Sequence, residues 1–289
     1  MAMDHGPTSM RDFFKFTADR LLASLSSMPG PYINHDKLPS GTFAISSFNP
    51  EDNEDLDSSD WLFHPMPQDR LSRFSLDRTG LPPDADSTGF QEYSENRNPA
   101  TLAERMEQAP GQRAIMLEEC FRIMYIDWER KLIGKSLIEK TEWEPVVYPN
   151  PFLSSLGLLD RFGPPGWSAS VFENVPTIPH VMLLAIQDVE VTKNELLVGE
   201  VGPIVQAIRN RLDQKEFANF TFFPVLIISL SGPQHGRMTQ GCFDRSGILQ
   251  LRMSKLYSFE TEKEAPFDLF LRFLANTPKI HPEEKDVVP

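Results

Sequence analysis

Four side chains in the second half of the sequence could take part in catalysis: Asp188, Glu190, His235 and Arg237. Asp188 and Glu190 follow an apolar run with alternating spacing, so both carboxylates are expected on one side of a strand end. Ligands of open α/β sheets bind beyond the carboxyl ends of the strands, where two carboxylates can hold a divalent metal ion. The metal-dependent nuclease pattern expects a basic residue two positions after the second acid, but Thr192 stands there. Solvated carboxylates at a strand end are therefore the simpler interpretation.

His235 is the best candidate for a general base, because an unperturbed imidazole has a pKa of about 6.5. It lies in a Gly- and Pro-containing turn, with Arg237 close by and Ser231 across the loop. The sequence contains no Gly-x-Ser-x-Gly elbow, no spaced His or Cys cluster typical of zinc, and no glycine-rich phosphate loop around Gly199 and Gly202. A turn histidine with a structural hydrogen bond is the simpler interpretation, and we predict no cofactor and no metal ion.

These incomplete signatures favour a non-catalytic protein–protein interaction or regulatory protein. The alternative is an enzyme of unrecognised class, hydrolase- or nuclease-like. Its pocket would lie at the C-terminal ends of the strands and use Asp188, Glu190, His235 and Arg237. Under the first hypothesis, deletion of residues 1–100 would abolish the capture of a partner without unfolding the core.

Two N-terminal features could bind such a partner. Segment 9–25 predicts an amphipathic helix, whose apolar stripe could dock on the chain's own core or, less simply, on a partner. An aromatic patch follows the acidic run 51–57, and acidic residues keep such a patch solvated until a partner buries it. The predicted partner-binding residues are Phe14, Leu21, Leu25, Trp61 and Phe63.

Apolar periodicity predicts an α/β or α+β fold with a mixed sheet, a βαβ crossover, an antiparallel meander and flanking helices. The crossover joins an apolar strand at 181–186 to another at 222–230 through a helix with its stripe at 201–212. Strands at 237–243 and 248–253 continue the meander, and a helix after Pro266 closes it.

Outside this block the patterns are weaker. A long, unusually apolar helix is predicted at 112–133, where it would cover one face of the sheet. A capping box at Thr101 and Glu104 predicts a short helix before it. Segment 141–179 reads as irregular, with Trp143 and Trp167 as packing anchors.

Composition divides the chain into four parts. These are an amphipathic helix at 1–28, an acidic Pro/Ser-rich and largely disordered linker at 29–100, a globular α/β domain at 101–276 and a polar tail at 277–289. The net charge is −13, and residues 41–100 contribute 12 acidic and 4 basic side chains, a net of −8. The acidity is therefore concentrated in the linker.

The negative charge disfavours nucleic acid and anionic membranes as partners, since both are bound by clusters of Lys and Arg. The N-terminus lacks the apolar run of a signal peptide. The two cysteines, Cys120 and Cys242, lie in apolar surroundings and are expected to be reduced. We therefore expect a cytoplasmic or nuclear protein that is not secreted.

Two resemblances accompany these patterns. The order strand, helix, strand, antiparallel strands and helix resembles thioredoxin-like architecture, but the Cys-x-x-Cys motif is absent and no redox activity is implied. Segments 231–237, SGPQHGR, and 255–259, KLYSF, resemble predicted proteins of filamentous fungi over about the C-terminal third. This second resemblance implies a source class and no catalytic activity.

Overall fold

The computed structural model describes residues 9–34, 38, 41–52, 62–74, 90–95, 99–127, 135–146, 158–161, 166–174, 178–191 and 195–281. Within these residues a mixed sheet occupies the centre, and helices pack on both of its faces. The predicted mixed α/β fold is therefore confirmed. None of the helices in this part of the chain is both long and apolar enough to cross a membrane.

The main sheet runs in the order β1-β8-β7-β6-β5-β4-β3 among the described residues, and β9 pairs with β7. The strands are β1 Phe43–Ser47, β2 Phe63–His64, β3 Trp143–Pro145, β4 Trp167–Asn174, β5 Val181–Glu190, β6 Val225–Gly232, β7 His235–Phe243, β8 Leu249–Met253, β9 Tyr257–Ser258 and β10 Thr277–Pro278. The short strands β2 and β10 form a separate antiparallel pair.

The helices form two layers. They are α1 Met10–Ser26, α2 Gln68–Ser72, α3 Leu102–Glu107, α4 Pro110–Arg122, α5 Val198–Arg211 and α6 Phe267–Leu274, with 3-10 turns at Ile138–Lys140 and Lys215–Phe217. Helices α1 and α5 cover one side of the sheet, the α5 face. Helices α4 and α6 pack on the other side, the α4 face. The helix predicted at 112–133 corresponds to α4 and a π-helical turn at Ile123–Asp127, and residues 128–133 lie outside the described residues.

The crossover β5–α5–β6 agrees with the prediction. Strands β5 and β6 are parallel, with Val181 paired to Val225 at one end and Gln187 to Ser231 near the other. Every residue of β6 is buried, as expected of a central strand with helices on both faces. Pro224 stands just before β6, where its missing N–H costs no ladder hydrogen bond. Antiparallel pairing of β6, β7 and β8 confirms the meander.

Segment 141–179 is not irregular throughout, contrary to the prediction. It contains β3 and the eight-residue strand β4, which pairs antiparallel with β5. Trp167, Ala169 and Val171 alternate with serines there, a period-two pattern that the neighbouring turn residues obscured. Trp143 and Trp167 are buried packing anchors, as predicted.

The N-terminal helix α1 packs on the chain's own core, which corrects the assignment of its stripe to a partner. Phe14 is 2% exposed, and Leu21 and Leu25 are 0% exposed. Arg11 fastens the helix, because its guanidinium donates to the carbonyls of Leu212 at 2.8 Å and Phe217 at 2.7 Å, beyond the end of α5. A cation is favourable at this position, where the last helical carbonyls have no helical partner.

Residues between 29 and 100 also contribute to the fold. Strand β1 pairs in parallel with β8 and extends the sheet, and Phe63 in β2 is 0% exposed. The predicted boundaries at 28 and 100 therefore do not separate packing units. The largely disordered linker was predicted over 29–100, and of that segment residues 35–37, 39–40, 53–61, 75–89 and 96–98 lie outside the described residues.

Candidate functional site

The sheet separates the predicted catalytic residues onto opposite faces. Gln187, Ser231 and His235 are register partners on β5, β6 and β7 and therefore share a face. This is the α5 face, because the Gln187 amide donates to the carbonyl of Gly199 in α5 at 2.7 Å. Asp188 lies on the other face, where its Oδ1 accepts the N–H of Gly111 in α4 at 3.0 Å. The sheet backbone thus lies between Asp188 and the imidazole.

Arg237 is held in a buried ion pair. Its Nε donates to Glu200 Oε1 at 2.6 Å, and its Nη2 contacts the second oxygen of the same carboxylate. Each side chain is 1% exposed. Glu200 Oε2 also accepts the N–H of Leu197 at 3.0 Å, and Arg237 donates to the carbonyl of Glu195 at 2.5 Å. The pair therefore fastens the start of α5 to β7, and the guanidinium is too deeply buried for contact with a substrate.

The remaining two predicted catalytic residues are Glu190 and His235. The side chain of Glu190 is exposed at the end of β5, and its carbonyl accepts the hydroxyl of Tyr32 at 3.0 Å. Partial burial, with Glu195 and Glu190 nearby, raises the pKa of Tyr32. The described residues contain no group of three or more His, Cys, Asp or Glu that could hold a metal ion. The four predicted residues thus do not converge on one pocket.

The predicted partner-binding residues are mostly interior. Phe14 stacks on Phe243 with ring centroids 5.7 Å apart, inside the cluster that holds Leu21 and Leu25. Phe63 meets the His180 ring edge-on at 5.4 Å. These four side chains are therefore unavailable to a partner in this fold. Trp61 lies outside the described residues.

A different surface presents apolar side chains to solvent. All six residues of α3 are described, and none of them is buried. Leu102 is 67% exposed and Met106 58% exposed, one turn apart on the same side of the helix. Ile115 of α4 continues the surface at 38% exposure. Isolated apolar residues are common on protein surfaces, but three neighbouring ones beside a concavity are typical of an interaction site.

The concavity is a cavity of about 410 Å³ between α3, α4 and the β4–β5 side of the sheet. We call it the α3–α4 groove, and it is lined principally by Met106, Ile115, Arg161, Trp167, Ile186 and Asp188. Arg161 lines one side of the groove and brings a cation to it, and its guanidinium lies over the Trp167 ring at 5.4 Å. The exposed carboxylate of Asp188 supplies the opposite charge.

Gly111 permits the close approach of α4 to Asp188. A Cβ at this position would come within 2.6 Å of Asp188 Oδ1, whereas the glycine N–H donates to that oxygen. This contact holds the Asp188 carboxylate beside the groove.

This groove was not predicted from the sequence, although part of its signal was present there. The capping box at Thr101 is confirmed by reciprocal hydrogen bonds with Glu104, and it locates the helix correctly. The apolar pair Leu102 and Met106 within that helix has no apolar neighbours that would complete a buried stripe. Asp188, assigned to possible metal binding, belongs to the groove instead.

Comparisons with known proteins add no constraint. The chain matches no family model, no curated protein and no solved structure. The fold and the site therefore define only a class, a mixed α/β sheet with helices on both faces and an exposed apolar groove.

Proposed function

We propose that the protein is a non-catalytic protein-interaction module that binds an apolar, positively charged segment of a partner in the α3–α4 groove. The observation that carries the proposal is α3 itself, a six-residue helix with no buried side chain that presents Leu102 and Met106 beside a 410 Å³ cavity. Short helices are marginal in water unless packing supports them. Contact with a partner would provide such packing.

The chemistry of the partner follows from the groove. Met106, Ile115 and Ile186 offer apolar surface, which favours apolar anchor residues. The exposed carboxylate of Asp188 favours a Lys or Arg on the partner, placed on the side of the groove away from Arg161. The net charge of the chain, −13, favours the approach of a positive partner over a negative one.

The enzyme alternative has weaker support. Asp188 and His235 lie on opposite faces of the sheet, and Arg237 is bound to Glu200. Cys120 offers no nucleophile, because burial raises the pKa of its thiol to about 12. For the compartment we propose the cytosol or nucleus, supported by Cys120 and Cys242, which are buried free thiols.

The proposal is tested with a random peptide library displayed on phage and selected on the full chain. We expect the enriched peptides to combine apolar residues with Lys or Arg, and their synthetic versions to bind in calorimetry. Met106→Asp and Ile115→Asp should each weaken binding about tenfold or more, since a charge would enter an apolar contact. Asp188→Asn should weaken it less and reduce its salt dependence.

Met10→Asp is the matched control, since Met10 is an exposed methionine of α1, 45% accessible and remote from the groove in sequence. It should leave peptide binding unchanged. The proposal fails if no peptide is enriched above the level of an unrelated protein, or if the enriched peptides bind Met106→Asp and Ile115→Asp as tightly as the unmodified chain.

A further inference from the structure

A second cavity lies on the opposite flank of the α4 face, at the β1–β8–β7 end of the sheet. Its floor is a row of side chains across three neighbouring strands: Gln240 on β7 pairs with Arg252 on β8, which pairs with Ser46 on β1. Register partners share a face and stand about 5 Å apart. Leu62, Phe222 and His281 line the other sides, and the enclosed volume is about 350 Å³. Cavities of this size hold small molecules.

Gln240 has unused donor capacity at this floor. The side chain is 1% exposed, and its Oε1 accepts the N–H of Leu62 at 3.2 Å. This hydrogen bond orients the amide, because only the oxygen can accept. The Nε2 group then has no hydrogen-bond partner within the described part of the chain. A buried donor without an acceptor is costly, which favours a ligand that supplies one.

The charge balance of the cavity also favours an acceptor. Asp244 is the acidic group of the lining, and its oxygens already accept from the Ser246 hydroxyl at 2.6 Å and the Gln250 amide at 2.7 Å. Although burial acts in the other direction, these hydrogen bonds lower the pKa of Asp244, so its charge is present and compensated. Arg252 also lines the cavity, so a cationic side chain stands on the floor beside the Gln240 amide.

A flat aromatic wall stands over this floor. Phe222 and His281 stack with ring centroids 3.9 Å apart and an interplanar angle of 18°. Both rings line the cavity. Aromatic surfaces of this kind favour planar ligands, which stack with an offset or meet them edge-on.

We propose that this cavity binds a small aromatic carboxylate. The carboxylate would accept hydrogen bonds from Gln240 Nε2 and the Arg252 guanidinium, and the ring would pack against Phe222 and His281. This site is separate from the α3–α4 groove, so either proposal can fail without the other.

Ligand-observed saturation-transfer NMR on the full chain tests the proposal. The probes are nicotinate and 2-naphthoate, their neutral amides, and cyclohexanecarboxylate as an aliphatic acid. We expect the aromatic acids to bind, and the amides and the aliphatic acid to bind about tenfold more weakly, because each lacks either the charge or the ring.

Ser46→Phe should abolish binding, because Ser46 lines the cavity and is exposed on an edge strand where a larger side chain disturbs no core. Ser47→Phe is the matched control. Ser47 is the next residue of the same strand, equally exposed, faces the other side of the sheet and is not in the cavity. It should bind the acids as the unmodified chain does.

Gln240→Glu should weaken binding of the acids at least about tenfold, because it keeps an acceptor for Leu62 but replaces the amide donors with a negative oxygen. The proposal is overturned if the aromatic acids fail to bind the unmodified chain, if the amides bind equally well, or if Ser46→Phe and Ser47→Phe behave alike.

Discussion

The two faces of the sheet are built differently. On the α5 face, α1 and α5 pack over one continuous apolar cluster, which also encloses the ion pair of Arg237 with Glu200. On the α4 face, α4 and α6 cover the middle of the sheet. The α3–α4 groove lies on one flank of that cover, and the cavity above Gln240 lies on the other.

This difference distinguishes the α5 face, which stabilises the fold, from the α4 face, which carries both proposed binding surfaces. Arg237 lies beside the carboxyl ends of two parallel strands, where ligands of α/β sheets commonly bind. It is nevertheless buried on the α5 face, where its ion pair with Glu200 stabilises the fold. The binding surfaces that we propose lie where the helical cover ends. Chemical residue type alone therefore did not indicate function here, because burial decided which groups could meet a ligand.

The ion pair gives the largest expected effect. Glu200→Gln or Arg237→Met should each destabilise the protein by about 3–5 kcal/mol, because each leaves an unpaired charge or an unpaired polar group inside the α5 face. The double variant Glu200→Leu/Arg237→Met should recover much of that loss. Urea unfolding followed by circular dichroism measures the free energies. Single variants as stable as the original chain would show that the α5 face is open to water.

The docking of α1 gives the next effect. Leu21→Ala should cost about 3 kcal/mol, since Leu21 is fully buried in the cluster under α5. Phe16→Ala is the control and should cost about 0.5 kcal/mol or less, because Phe16 is 51% exposed on the same helix. Urea unfolding distinguishes the two. Equal, small costs would restore α1 as a helix available to partners.

His180, which contacts Phe63 of β2 and the carbonyl of Lys279 next to β10, tests whether the interior at this end of the sheet is as dry as the α5 face. Burial lowers the pKa of His180 to about 3, against about 6.5 in the unfolded chain. Between these values the unfolded state binds one more proton, so stability is full above pH 6.5 and falls by about 1.4 kcal/mol per unit below it.

Between pH 7 and pH 5 the contribution of His180 should therefore decrease by about 2 kcal/mol. Urea unfolding at the two pH values should show a correspondingly smaller decrease for His180→Gln. If the variant and the original chain lose the same stability, water reaches the imidazole.

The groove gives the smallest effect on stability. Ile115→Ala and Met106→Ala should change the free energy of unfolding by about 0.5 kcal/mol or less, because both side chains face solvent. Leu117→Ala, two residues further along α4, should cost about 3 kcal/mol since Leu117 is 1% exposed. Thermal unfolding of these variants would measure the difference in stability between the exposed positions and Leu117. A large cost for Ile115→Ala would mean that the groove is packed by the chain itself.

Part of this fold could be predicted because some signals are local and strong. The apolar runs of β5 and β6 and the stripe of α5 are continuous, so they indicate a crossover without knowledge of the partners. Strand β1 could not be predicted from its own residues, because the segment FAISS becomes a strand only by pairing with β8, far along the chain. Apolar and polar residues alternate clearly in strand β4, but the turn residues around it led to the prediction of an irregular segment.

The sequence by itself determined the α/β class, the crossover, the meander and the concentration of acidic residues near the N-terminus, because periodicity and charge are properties of neighbouring residues. The tertiary structure alone decided that α1 belongs to the core, that Asp188 and His235 lie on opposite faces, and that Leu102 and Met106 are exposed. Each of these depends on register or on which helix covers which strand. A shift of one residue in a strand exchanges its faces, so no local pattern could determine them.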